Sequence, residues 1–170
     1  NRSDAMGHIG VARDIRAFHN LTQAQKLDIK FPALEQLHNA EFPELSVQVT
    51  DQNACKRYLA IELDQVKVGA SPVWLQNRLK AVGLQPINNV VDISNFVQLE
   101  LGTPLHIFDA QQSGTSIEVR CAEPNENFTG LDKQNYKLAG HELVIANQNG
   151  ILCLAGILGG LQSSVTTQTT

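Results

Sequence analysis

The sequence predicts an α+β domain: a mixed, largely antiparallel sheet packed with two or three helices. Three observations predict it. Apolar residues recur at helical spacing around 9–18, 74–82 and 90–101. Short apolar runs, alternating or unbroken and separated by turn residues, fill the region from 116 to 160. Asn149-Gly150 stands between two of those runs, and Asn-Gly in that setting is the strongest short-range hairpin signal.

The elements follow in order. Ser3 or Asp4 can cap a helix whose apolar residues are Ile9, Ala12, Ile15 and Phe18. Residues 1–20 read as the end of a neighbouring module, with His8 as a solvent-facing or helix-packing histidine. Residues 21–45 read as a linker punctuated by Pro32 and Pro43, in which Leu34, Leu37 and His38 share one face of a short helix. The main domain is then 46–170. Ser46–Thr50 alternates like a strand, Tyr58–Leu63 is a second strand candidate, and Val66–Val68 continues it. Ser71-Pro72 makes a helix start, a hydroxyl cap followed by proline. Trp74, Leu75, Leu79 and Val82 form its buried stripe, and Gly83 ends it. Trp74 reads as a core residue with Arg78 and Lys80 solvated, although an aromatic beside two cations also suits base stacking.

The stretch from Pro86 to Asp109 carries the densest information. Asn88 or Asn89 can cap a helix whose stripe is Val90, Ile93, Val97 and Leu101. Gly102 supplies the left-handed residue that ends it, and Pro104 blocks its continuation. Asp92, Asn95 and Leu99 share another face, with Ser94 beside Asn95, and His106 follows where a loop or strand enters a cleft. Small polar groups this frequent among apolar ones must find partners, so they mark a pinned junction or a site.

The second half is strand-rich. Ile117–Cys121 alternates, an acidic turn follows at Glu123–Glu126, and Phe128–Asp132 pairs with Tyr136–Leu138 around Lys133-Gln134. Leu143–Ala146 and Ile151–Ala155 barely alternate and read as central strands covered on both faces. In Ala155–Gly160 the glycines let another molecule approach and leave N–H groups free to point into a pocket. No helix with a ribose-binding acid follows, so this is not a dinucleotide loop. The polar tail Ser163–Thr170 reads as frayed.

Composition narrows the function. The chain has 170 residues and a formal net charge of −4, which argues against a broad phosphate-binding surface. It leaves room for a nucleic-acid end docked in a pocket. Cys55, Cys121 and Cys153 form no CxxC or zinc pattern, so no metal site is expected. Isolated cysteines read as buried small hydrophobes, suited to a reducing cytoplasm. No apolar run approaches the ~20 residues of a membrane span. Neither a Ser-His-Asp or Cys-His order with a nucleophile elbow nor a phosphate loop is present.

The run PINNVVDISNFVQLELGTPLHIFD resembles the signature of the editing domain in the beta subunit of bacterial phenylalanyl-tRNA synthetases. Val68–Leu79, Glu142–Ala146 and Leu154–Gly160 resemble three further stretches of that family in the same order. The resemblance implies hydrolysis of tyrosine esterified by mistake to the phenylalanine tRNA. A pocket shaped for an apolar ring rejects an isostere with one added hydroxyl by only about 100-fold, which is why a second site is needed. Carried over, Asn95 and His106 match pocket-lining residues and Ser94 stands where the family commonly has threonine. These three are the expected catalytic group, orienting the terminal adenosine and an attacking water. Ala155, Gly156, Leu154 and Pro104 are the expected substrate-binding residues. A glutamate that reads the tyrosine hydroxyl is expected a few residues beyond Thr170, so the chain reads as a piece of a longer protein, truncated within the domain. The resemblance further implies tRNA(Phe) and a synthetase alpha subunit as partners, with ATP and Mg2+ used by the parent enzyme and no cofactor here. An inert structural module of the same synthetase, or a stand-alone hydrolase or ligand-binding protein on the same fold, are the alternatives.

Overall fold

The computed structural model describes residues 2–31 and 45–170. The short helical face expected from Leu34, Leu37 and His38 lies outside them. Helix α1 spans His8–Thr22, β1 Ser46–Val49, α2 Val73–Ala81, α3 Asn89–Leu101 and α4 Ala110–Ser113. The strands β2 Ser116–Cys121, β3 Asn127–Thr129, β4 Asn135–Lys137, β5 Leu143–Asn147, β6 Gly150–Leu154 and β7 Leu158–Gly159 complete the order. The expected α+β class and mixed sheet are what the chain forms.

Five strands make one sheet in the order β1-β2-β5-β6-β7. Only β1 and β2 run parallel, with Val49 opposite Val119; the other neighbours are antiparallel. β3 and β4 form a separate hairpin, Phe128 opposite Tyr136, tied to the sheet by a bridge between Gly130 and Gly160. The two-residue turn between β5 and β6 is Gln148-Asn149, because Gly150 already pairs with Asn147. The hairpin forms where Asn-Gly predicts it, one residue earlier in register.

Hydrocarbon covers both faces of this sheet. Ile117, Val119, Ile145, Leu152 and Cys153 are buried on one side. Ala122, Phe128, Leu138, Val144 and Ala146 are buried on the other. Adjacent residues Val144 and Ile145 point to opposite cores, as a period of two requires. That is why these runs read as unbroken hydrocarbon.

Tyr58–Leu63 and Val66–Val68 form no strand. Tyr58 and Ala60 pack against the Ile117–Cys153 face, so the segment covers the sheet instead of extending its edge. It keeps the alternation of a strand, leaving Leu59, Ile61 and Leu63 exposed.

The helices depart further from their apolar stripes. In α2, Leu75 and Leu79 are buried, but Trp74 is 57% exposed and Val82 is also exposed. In α3 the buried positions are Asp92 and Ser94, while Ile93 and Leu101 of the expected stripe face outward. The reason is polar: Asp92 accepts hydrogen bonds from Ser71 Oγ (2.5 Å) and the Ile87 N–H (2.8 Å), and that pairing sets which side of α3 meets α2. Ser71 therefore anchors Asp92 and does not cap α2, whose N-cap is Pro72.

Helix α1 begins later than Ser3 and runs past residue 20. Ser3–Ala5 form a 3-10 turn held by Arg2, which pairs with Asp4 and Asp14. The Asp4 carbonyl oxygen lies where a Cβ on Gly10 would sit, so the turn closes down on the helix only over glycine. His8 packs α1 on α3, with Nδ1 3.0 Å from the Leu99 carbonyl oxygen.

The tail is anchored. Ser163 is buried, accepts the Asp109 N–H at its carbonyl (3.0 Å) and donates its hydroxyl to the Leu152 carbonyl (2.8 Å). Thr169 donates its hydroxyl to Asp109 (2.6 Å).

Candidate functional site

The junction that enters the site is built from side chains acting on backbone. Asn88 caps α3 by accepting the Val91 N–H (2.9 Å). Asn89 clamps the chain leading to α2, accepting from the Gly69 N–H and donating to the Lys67 carbonyl, both at 2.9 Å. At the far end Gly102 takes φ +76°, which ends α3 and turns the chain through Pro104 to His106. Asp109 then caps α4 with one carboxylate oxygen and holds Thr169 with the other.

His106 is the meeting point. The Gly156 N–H donates to its Nε2 at 2.7 Å, joining the end of the α3 junction to the turn after β6. The imidazole lies parallel to the Phe108 ring, at 7° and 6.3 Å between centroids. Burial holds its pKa below the ordinary value. An N–H aimed into Nε2 requires a lone pair there, so the ring is neutral with its proton on Nδ1. Such a histidine offers a donor through Nδ1 and has no free nitrogen to take a proton. The Gly156 N–H, expected to be free, is the group that occupies it.

A cavity of about 360 Å³ opens at His106. Tyr58, Ile93, Ser94, Phe108 and Thr169 are among its walls, which are mostly hydrocarbon. Ser94 donates its hydroxyl to the Val91 carbonyl one turn back (2.7 Å), so its oxygen presents lone pairs, not a nucleophile paired with a base. Burial pushes the Tyr58 phenol up to about 12, so that wall stays neutral. A second hollow of about 280 Å³ lies among neutral polar side chains, Gln112, Asn127, Asn147 and Gln162 with Phe128, and contains none of the predicted site residues. Among the described residues no group of three His, Cys, Asp or Glu could hold a metal ion.

The predicted residues fall into two sets. His106 bonds to Gly156, and Pro104 stands over it: a Cβ built on Gly156, φ +72°, would meet only Pro104 Cγ at 4.0 Å. Ser94 shares the cavity with His106. Ala155 packs against the Ile117–Cys153 face, and Leu154 against the opposite core. Asn95 is half-buried one residue on from Ser94, about 100° round the helix, and does not wall the cavity. Thus the hollow is bounded by His106 but not by Gly156. Tyr58, Phe108 and Thr169 are walls that pattern reading missed; the alternation of Tyr58 and Ala60 was the one available signal.

Comparison with known proteins gives a consistent picture. The family model described as B3/4 domain matches residues 54–170. The chain is 38% identical over 171 residues to a phenylalanine–tRNA ligase beta subunit of Fusobacterium nucleatum, which covers 99% of this chain and 21% of that protein. It is 43% identical to the protein of that name from Rhodopirellula baltica (99% and 24%) and 41% identical to that from Porphyromonas gingivalis (100% and 21%). The chain thus spans between a fifth and a quarter of these relatives. Among solved structures, an N-terminal fragment of the phenylalanyl-tRNA synthetase beta subunit from Pyrococcus horikoshii aligns with a TM-score of 0.49 at 17% identity, over all of this chain and 50% of that one.

Proposed function

The chain belongs to the B3/4 domain family, and on that premise we propose that it is the module of a phenylalanine–tRNA ligase beta subunit that hydrolyses tyrosine wrongly esterified to the phenylalanine tRNA. The observation that carries the reading is the 2.7 Å bond from the Gly156 N–H to His106, because it brings the two matched motifs together beside a cavity large enough for an aromatic side chain.

The chemistry is ester hydrolysis. Water adds to the carbonyl carbon, negative charge develops on the carbonyl oxygen, and the carbon–oxygen bond to the terminal ribose breaks. With Nε2 filled, His106 serves as a neutral hydrogen-bond donor from Nδ1 that orients the terminal adenosine and the water, not as the base. The neighbouring ribose hydroxyl of the tRNA passes the proton to the leaving oxygen. Ser94 accepts a hydrogen bond at the cavity wall, Asn95 steadies the adenosine from outside the cavity, and Gly156 with Pro104 offers an open approach across the bond to His106, on a strand end that Ala155 and Leu154 anchor in the two cores. The tRNA acceptor end and an alpha subunit are the proposed partners, in the cytoplasm. Ligation of phenylalanine with ATP and Mg2+ belongs to the assembled parent.

The test is a time course of tyrosyl-tRNA(Phe) hydrolysis by the parent ligase carrying His106→Ala or Asn95→Ala. Slower hydrolysis with intact aminoacylation supports the reading. Unchanged hydrolysis in both variants overturns it.

A further inference from the structure

Helix α2 carries a feature that the hydrolytic site does not use. Trp74 is 57% exposed and Val73 beside it is exposed as well, on a helix that buries Leu75 and Leu79. Its ring meets Phe96 of α3 edge-on, with centroids 5.6 Å apart and planes at 86°. An edge contact engages at most one face of one ring, so the pair leaves broad π surface open to solvent. The Ser71–Asp92 bond lies three residues earlier on the α2 side and four earlier on α3, so a buried anchor one turn away holds the two helices in this register.

Along α2 itself the charge beside the ring is basic, while exposed Glu100 lies one turn on from Phe96 on α3. Arg78 lies four residues on from Trp74, on the same face one turn away, with exposed Asn77 between them. α2 contains Arg78 and Lys80 and no acidic residue, and neither cation joins an ion pair among the described residues. A locally basic ridge on a chain of net charge −4 runs against the overall balance. An open indole followed one turn later by a guanidinium matches a base followed by its phosphate. Stacking reads every base alike, and the cation tracks the backbone.

We propose that the Trp74–Phe96 pair with Arg78 is a stacking platform for an unpaired RNA segment, seated on the α2–α3 face and separate from the cavity at His106. This goes beyond the hydrolytic reading and can fail without it.

Trp74 is the only tryptophan of the chain, so its fluorescence reports the contact directly. The 170-residue chain is titrated with a single-stranded RNA hexamer ending in CCA and, separately, with a blunt duplex of the same sequence. Saturable quenching by the single strand, weakened by added salt and much smaller with the duplex, is expected. With labelled hexamer followed by anisotropy, Trp74→Ala should weaken binding about 10-fold, Trp74→Phe only slightly, and Arg78→Glu about 10-fold with a shallower salt slope. Absence of quenching, equal quenching by duplex, or binding indifferent to both Trp74→Ala and Arg78→Glu overturns the platform. Normal tyrosyl-tRNA hydrolysis alongside such a result would leave the hydrolytic reading standing. Lost hydrolysis in His106→Ala with quenching intact would support both readings.

Discussion

The sheet and the α2–α3 layer bury opposite kinds of residue. In the sheet, Val144, Ile145 and Val119 are sealed in hydrocarbon on both faces. In the helical layer Asp92 and Ser94 are buried, while Trp74, Ile93 and Leu101 face out. Apolar burial is additive and tolerant of approximate fit, so it supplies stability without much direction. A buried carboxylate that must meet one hydroxyl and one N–H supplies direction at a desolvation cost. The sheet thus holds the domain together. The helical layer orients the junction that ends at His106.

This contrast can be broken by substitution, the largest effect first. Ile145→Ala opens a void between packed strands and should cost about 3 kcal/mol, read as a lower denaturant midpoint with an unchanged slope. Asp92→Ala strands the Ser71 hydroxyl and the Ile87 N–H and should cost about 2 kcal/mol. If the two layers differ as described, Ile145→Ala leaves the Trp74 emission of the folded chain unchanged, whereas Asp92→Ala shifts it by loosening the α2–α3 register. Equal shifts would erase the distinction.

His106→Ala should cost only about 1 kcal/mol, the worth of the bond from Gly156. It has a signature in pH. The folded chain holds the His106 pKa below its ordinary 6.5, so the unfolded chain takes up that proton first as pH falls. The stability from His106 is therefore complete above about pH 6.5 and is lost as the pH drops toward the folded value. Denaturant midpoints at about pH 7.5 and about pH 5.5 should differ less in His106→Ala than in the parent chain. The smallest effect is expected at Trp74→Phe, below about 0.5 kcal/mol, because its ring contributes little to the core. A cost of several times that would make Trp74 part of the packing and would weaken its assignment as an open platform.

Legibility followed the physics of each region. Strands β2, β5 and β6 and the β3–β4 hairpin were readable because alternation, unbroken apolar runs and turn residues report local geometry directly. An asparagine cap at Asn88 or Asn89 and Gly102 as terminator were readable for the same reason, and the structure gives the cap to Asn88. Tyr58–Leu63 failed because alternation records which side chains are covered, not whether a neighbouring strand supplies hydrogen bonds. The tail failed because its polar residues find partners, Leu152 and Asp109, that are distant in sequence.

What the sequence determined by itself was the class, the strands β1, β2, β5 and β6, and the end of α3 at Gly102, since each is a property of a contiguous stretch. What only the tertiary structure decided was which face of each helix is buried, that His106 is neutral with its proton on Nδ1, and that the hollow lies beside His106 and away from Gly156. Those outcomes depend on pairs such as Ser71 with Asp92 and His106 with Gly156. Each pair is 21 to 50 residues apart, and no periodicity within a segment encodes it.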